Sequence, residues 1–401
     1  MERLHAIQYA QWQKAEVVLL CRPGIETLFG ILETNSANFF RPFSLEKASM
    51  EHDNFRKAIE SRGARVIDVR EALIQGTVNA ASLVPSPNLE RLRQEALRSV
   101  RYVLEDHVPD KEKQALDRNL CGTIETLHPK DLADIVLLRP DVLLRINRES
   151  LDPTTRFCAE FLLKAATNSY FVRDPMITTA AGAVIGRTRL KVRRIENDII
   201  ELALRQLGIE PIYRVKPPGF FEGGDFIPCG DFVFQGEGLL SNHEGIQQVL
   251  DNGAYKPVEV AVVKDRRSQM DQMHLDTFFN VISRDLAVYC QNRTGPEEPE
   301  VDVYQPEETG GKVAYHKSKT VGFLRYLKDK RMETIPFAKE ESFASNFLPL
   351  MERVIVGVKQ AGPSFQDRLR ARGVDAEFID FESLTGGYGG ANCMSQAIIR
   401  S

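Results

Sequence analysis

A histidine and an aspartate stand two residues apart in Met273-His274-Leu275-Asp276-Thr277, at the start of an apolar run (Phe278, Phe279, Val281, Ile282) that reads as a buried strand. Side chains two apart on a strand share a face, so this spacing predicts His274 and Asp276 in one pocket. A carboxylate beside an imidazole favours the protonated ring, and the pair can hold a cation, move a proton or form a plain salt bridge. Three other stretches carry comparable chemistry. Phe171-Val172-Arg173-Asp174 places Phe171 and Arg173 on one face and Asp174 at a turn. Phe221-Glu222-Gly223-Gly224-Asp225 sets two glycines between two carboxylates, where backbone can approach closely. In Gly386-Gly387-Tyr388-Gly389-Gly390-Ala391-Asn392-Cys393-Met394 a thiol follows a glycine-dense, flexible loop. Singly, each has a structural explanation: a turn cap, a tight hairpin, a buried small hydrophobe. Acids, one histidine and one thiol recurring at equivalent places of a repeating pattern are harder to dismiss.

The pattern that must position them is α/β. A strand at residues 16–21, a helix at 45–61 and a strand at 64–69 open the chain. From about residue 85 to 166 the sequence changes to amphipathic stretches at 89–104, 111–121, 129–138 and 153–166, which predict an all-helical subdomain inserted into the α/β body. His107 and His128 lie there in loop-like surroundings and read as surface groups. From residue 170 the order strand, strand, helix, strand recurs four times. With the N-terminal unit this makes five, and a ring of such ββαβ units would place the strand starts around one central cavity. The expected division is residues 1–84 and 168–401 for the α/β body and 85–167 for the insertion. The acidic tracts at 297–300 and 307–308, around Gly310-Gly311, read as a solvated loop.

Composition narrows the function classes. Fifty-two basic against 56 acidic residues leave a net charge of −4, which offers no footprint for nucleic acid or an anionic membrane. No apolar run approaches a spanning length, so a cytoplasmic protein is expected. The six cysteines include no CxxC pair, which argues against a disulfide framework or a zinc knuckle, and each reads as a lone thiol.

In their order, Asn168…Phe171-x-Arg173-Asp174, Phe221-Glu222-Gly-Gly-Asp225, Met273-His274-Leu-Asp276-Thr277 and Asn392-Cys393-Met394-Ser395 resemble the arginine deiminases, within the superfamily of guanidino-modifying enzymes and amidinotransferases. The resemblance covers nearly the whole chain and implies an α/β fold, a five-bladed pseudo-symmetric propeller of ββαβ units with the inserted all-helical subdomain, and a cysteine-dependent guanidino hydrolase. Catalytic roles then fall to Cys393, His274, Glu222, Asp174 and Asp276. The two aspartates would clamp a planar guanidinium, Phe171 would stack on it, and Cys393 would attack its central carbon. His274, oriented by Glu222, would protonate the departing ammonia and then activate water against a thiouronium adduct. The resemblance implies no metal and no organic cofactor; the partner is a small guanidino substrate, and homo-oligomerisation is left open.

Substrate binding falls to Phe171, Asn168, Arg193, Leu240 and Tyr388. Asn168 and Arg193 match contacts to the far end of arginine, but Leu240 and Tyr388 stand where arginine deiminases usually carry arginines. The usual Leu-Phe-Asp-Asp segment is replaced by Asn38-Phe39-Phe40-Arg41, making Arg41 a candidate compensating cation. The leading expectation is L-arginine plus water to L-citrulline plus ammonia. Alternatives are another guanidino substrate, hydrolysis on to ornithine, carbon dioxide and two ammonia, amidinotransfer to an amine, and a non-catalytic sensor.

Overall fold

The structure is a computed structural model that describes residues 4–78, 85–104, 108–147, 157–267 and 269–401. Its α/β class is the one the sequence predicts. Five units repeat one rule, in which the first strand pairs antiparallel with the second and the second pairs parallel with the third across a helical crossover. The first comprises Met176–Thr178, Ala183–Ile185 and Tyr213–Arg214, with helix Arg194–Gln206. In the second, Phe226–Pro228, Phe232–Glu237 and Glu259–Lys264 enclose helix His243–Asp251. Phe279–Ser283, Leu286–Cys290 and Glu333–Phe337, with helix Phe323–Asp329, form the third. Leu348–Met351, Val354–Val358 and Asp375–Ile379, with helix Pro363–Ala371, form the fourth.

The fifth unit joins the two ends of the chain. C-terminal Gln396–Arg400 runs antiparallel to Ala15–Leu20, which runs parallel to Arg65–Asp68 beyond helix Leu45–Ser61. The N-terminal unit read from sequence therefore finds its first strand almost 400 residues away. Second strands are covered on both faces, which explains continuous apolar runs such as Leu286–Cys290, all buried. No ladder between described strands links one unit's sheet to another's, so there is no closed barrel. Strand pairing establishes five repeated units but not their closure as propeller blades.

Two expectations need correction. The segment from 85 to 167 is not all-helical: helices Pro87–Ser99, Asp110–Thr126 and Pro129–Leu138 accompany a sheet of Arg101–Leu104, Pro140–Ile146 and Phe157–Leu163. Phe157–Leu163 reads as helix in sequence because, as an exposed edge strand, it has no buried face to impose a two-residue alternation. His128 caps the helix Pro129–Leu138, its Nδ1 accepting from the Lys130 amide, while His107 lies outside the described residues. The acidic stretch near residue 300 is not a loop. Glu300–Thr309 and Lys312–Gly322 form a long hairpin that extends the second unit's sheet, turning at Gly310 and Gly311 with φ of 59° and 76°. Two central residues with positive φ suit a tight hairpin turn, and only the base of this hairpin is buried enough to leave an apolar pattern.

Candidate active site

The residues singled out by chemistry occupy turns entering the first strands of the units. Asp174 lies two positions before Met176–Thr178, Glu222 and Asp225 lead into Phe226–Pro228, and Cys393 lies three before Gln396–Arg400. His274 and Asp276 precede Phe279–Ser283, but not on a strand. His274 is extended, and Leu275–Thr277 is a single 3-10 turn. That turn, rather than strand alternation, buries both side chains. The fourth unit supplies Asn346, two residues before Leu348–Met351, which the sequence reading missed. Its position equivalent to the other turns was the available clue.

Within this cluster His274 sits between two acids, its Nε2 3.1 Å from Glu222 and its Nδ1 3.9 Å from Asp174. A Cβ on Gly224 would lie 2.6 Å from His274 Nδ1, so the ring packs where only glycine leaves room. Cys393 Sγ is 3.7 Å from Asp276 Oδ2 and 3.0 Å from Asn346 Nδ2. Asn346 Oδ1 also accepts from the amides of Gly390 (3.0 Å) and Cys393 (3.2 Å), fixing the loop and the thiol together. Asn392 Nδ2 donates to Asp276 at 2.8 Å. A Cβ on Gly389 would meet Phe171 at 2.3 Å and Cys393 Cβ at 3.0 Å. The glycines before the thiol thus serve close packing. One buried oxygen on each aspartate, Asp174 Oδ1 and Asp276 Oδ1, accepts no hydrogen bond. Orphaned buried carboxylate oxygens are costly, and a planar cation with several N–H donors would satisfy both.

Charge is set by burial and by these neighbours. Burial alone disfavours a charged imidazole, but Asp174, the hydrogen bond to Glu222 and the nearby Asp225 outweigh it and lift His274 to about 10. Burial, followed by the charges of Asp276 and Asp174, pushes the Cys393 thiol well up, with the Asn346 hydrogen bond opposing. Burial raises Asp276 as well, and takes Asp225 to about 6. These surroundings favour a protonated imidazole and a protonated thiol, and added positive charge beside the sulfur would favour the thiolate. Asp174, Glu222 and His274 are close enough to consider a metal ion. The two ring nitrogens of His274 face different carboxylates, whereas a shared metal needs one nitrogen and both acids converging on a point.

The substrate-binding candidates fare differently. Phe171 is buried beside the thiol loop. Arg193 does not reach outward: Nη1 pairs with Asp174 at 2.8 Å, while Nε and Nη2 pair with Glu196 at 3.0 and 2.8 Å. Its guanidinium carbon lies 5.7 Å from the Phe171 ring centroid. Glu196 was not anticipated, though its i,i+3 spacing on a helix could have flagged it. Asn168 spends its amide on the Ala37 carbonyl and the Thr167 hydroxyl. Leu240 is buried in a loop whose Ser241 hydroxyl ties to Asp225. Tyr388 adopts φ 69°, packs edge-on to Phe40, and borders a cavity of about 360 Å³ with Arg41 and Asn346.

The arginine deiminase family model matches residues 38–400. The chain belongs to the arginine deiminase family. Arginine deiminase of Halobacterium salinarum is 22% identical, over 98% of this chain and 96% of its own length. The Staphylococcus aureus enzyme is also 22% identical, over 96% of each chain. Among solved structures, dimethylarginine dimethylaminohydrolase of Pseudomonas aeruginosa, complexed with citrulline, superposes with a TM-score of 0.55 at 16% identity, covering 96% of this chain and 99% of that one. The N-terminal domain of a cyanobacterial arginine dihydrolase superposes with 0.56 at 12% identity, over 96% and 97%. These structures share the fold. Members of the arginine deiminase family are hydrolases of amidine carbon–nitrogen bonds, and this chain is an enzyme of that class.

In this family member Asn346 is expected to matter for the thiol. Asn346→Ala removes a hydrogen bond that favours thiolate, worth roughly 1.5–3 kcal/mol, and should lower kcat about 10- to 100-fold. The pH dependence of Cys393 alkylation should move upward; an unchanged profile would show that Asn346 serves the loop alone.

Proposed function

We propose that this protein hydrolyses a guanidino substrate of the L-arginine type to a ureido product and ammonia, through a covalent adduct on Cys393. The observation that carries the reading is the pair of buried, unsatisfied oxygens on Asp174 and Asp276 beside the sulfur. A guanidinium held there brings its positive charge next to the thiol, which lowers the cost of the thiolate. The thiol proton is released to solvent as the substrate binds, and the thiolate attacks the central carbon and forms the C–S bond. His274, already protonated, gives its proton to the departing nitrogen as the C–N bond breaks. The neutral ring then takes a proton from water, which attacks the adduct; the C–S bond breaks, and the ureido product leaves with the thiolate restored. Glu222 holds the imidazole in position. Under this reading the five units close as a propeller around the turns, with residues 85–167 as an insertion.

The far end of the substrate would lie in the cavity bordered by Phe40, Arg41, Phe343, Asn346 and Tyr388. Arg193 is committed to acids of the site and Lys339, on the cavity wall, pairs with Asp271 at 2.5 Å, which leaves Arg41, held only by the Glu382 carbonyl among the described residues, as the cation best placed for a distal anion there. Arg41→Gln is expected to raise KM for L-arginine about 10-fold or more, leaving kcat within about threefold. Agmatine, with no carboxylate, should be unaffected; equal effects on both would rule this contact out.

The reading is tested by incubating the protein with L-arginine, agmatine and methylated arginines, assaying ammonia, citrulline and ornithine separately. Citrulline and ammonia in equal amounts support it. No product from any guanidino compound would overturn it.

A further inference from the structure

The segment from Arg187 to Arg194 has a second side that the proposed reaction does not use. The guanidinium carbons of Arg187, Arg189 and Arg194 lie 4.8, 5.9 and 5.7 Å from the centroid of one ring, Phe220. None of the three pairs with a carboxylate among the described residues. Arg187 donates to the Gly219 carbonyl, Arg189 to that of Leu239, and Arg194 to those of Thr188 and Arg189. Beside them is a cavity of about 460 Å³ walled by Arg187, Lys191, Arg194 and Lys216. The one carboxylate lining it, Asp198, is engaged by Arg139 at 3.5 Å and Arg214 at 2.5 Å. Four cations with no acidic partner among the described residues, Arg187, Lys191, Arg194 and Lys216, thus border one concavity, in a chain whose net charge is −4.

Gathering like charges costs free energy, and burial followed by the charge of Arg194 makes Arg187 less basic than usual. The first turn of helix Arg194–Gln206, which no side chain caps, adds its positive pole at the same edge. We propose that this basket binds a small molecule bearing a chain of two or three phosphates. Planar guanidinium forks match adjacent phosphate oxygens, and the cavity is of small-molecule size. The four cations border one shallow concavity of small-molecule dimensions rather than forming a long stripe, which favours a compact polyanion over a nucleic-acid backbone. Phe220 is already covered by guanidinium groups, so the phosphates rather than a stacked base would supply recognition.

The segment also touches the active site, since the Arg189 amide donates to Glu222 at 2.8 Å and Arg193 pairs with Asp174 at 2.8 Å. Under the proposed function, occupancy would change the turnover of the guanidino substrate, and substrate would change phosphate affinity by the same factor. Binding itself can be measured without reference to that reaction. The full chain is titrated calorimetrically with inorganic triphosphate and, in parallel, with ATP, at low and moderate salt. One saturable site that weakens with salt is expected, lost by at least about 10-fold in Arg187→Gln/Lys216→Gln. ATP binding no tighter than triphosphate supports recognition of the phosphates alone, and tighter binding adds a nucleoside contact to the same site. Because Arg187 also holds the Gly219 carbonyl and packs on Phe220, the exposed Lys216→Gln alone serves if the double variant fails to fold. No saturable binding of either probe, or equal affinity in the variant, would overturn the proposal.

Discussion

Under the proposed reading, Cys393→Ala is expected to reduce turnover of the guanidino substrate by at least about 10⁴-fold, because no other thiol among the described residues lies beside Asp174 and Asp276. The sulfur lies 3.7 Å from Asp276 and is held by Asn346, a geometry that a buried structural cysteine has no reason to share. Cys393→Ser should behave similarly in turnover while keeping the clamp, so substrate should still bind to it and protect it from thermal unfolding. Acid-quenching the parent enzyme during turnover should reveal a mass increase on the peptide containing Cys393, absent from both variants. Retention of full activity in Cys393→Ala would end the covalent mechanism. The raised thiol also predicts slow alkylation by iodoacetamide at pH 7 in the free enzyme, speeding up as pH rises.

The second large effect belongs to His274. Under the proposed mechanism His274→Asn would remove the proton donor for the leaving nitrogen and should cost about 10²–10⁴-fold in kcat. Its pH behaviour follows from its surroundings: Asp174, Glu222 and Asp225 lift it to about 10, from an ordinary value of 6.5. A group raised in the folded state contributes stability that is complete below about 6.5 and disappears as pH climbs through about 10. The parent should therefore lose more thermal stability between pH 7 and 10 than His274→Asn does. In the parent, kcat/KM should also decline as pH passes through about 10, where the general acid is lost. Equal melting-temperature losses in the two proteins would mean that the imidazole is not held as a cation.

These expectations rest on residues that were recognisable before any coordinates, but the reasons for their placement were not all recognisable. His274 and Asp276 do converge, by way of a 3-10 turn that has the same i,i+2 spacing as a strand. The close approach that the Gly223-Gly224 pair predicts is made at Gly224 by the His274 ring, whereas Gly389, in a stretch whose glycines suggest flexibility, is where a side chain would collide with Phe171. The Phe157–Leu163 strand and the hairpin ending at Gly322 were misread because neither buries a full face, and a periodicity argument needs one.

The amino-acid order alone determined the α/β class, the repeating unit and the identities of the acids, the histidine and the thiol, because these depend on local periodicity and on side-chain chemistry written into short stretches. Only the tertiary structure decided that Asn346 binds the sulfur across 47 residues, that Arg193 is spent on Asp174 and Glu196, and that the last strand completes the first unit. Those choices depend on which distant turns packing brings within hydrogen-bond range and on which buried charges must then be neutralised. A neighbour along the chain cannot report either.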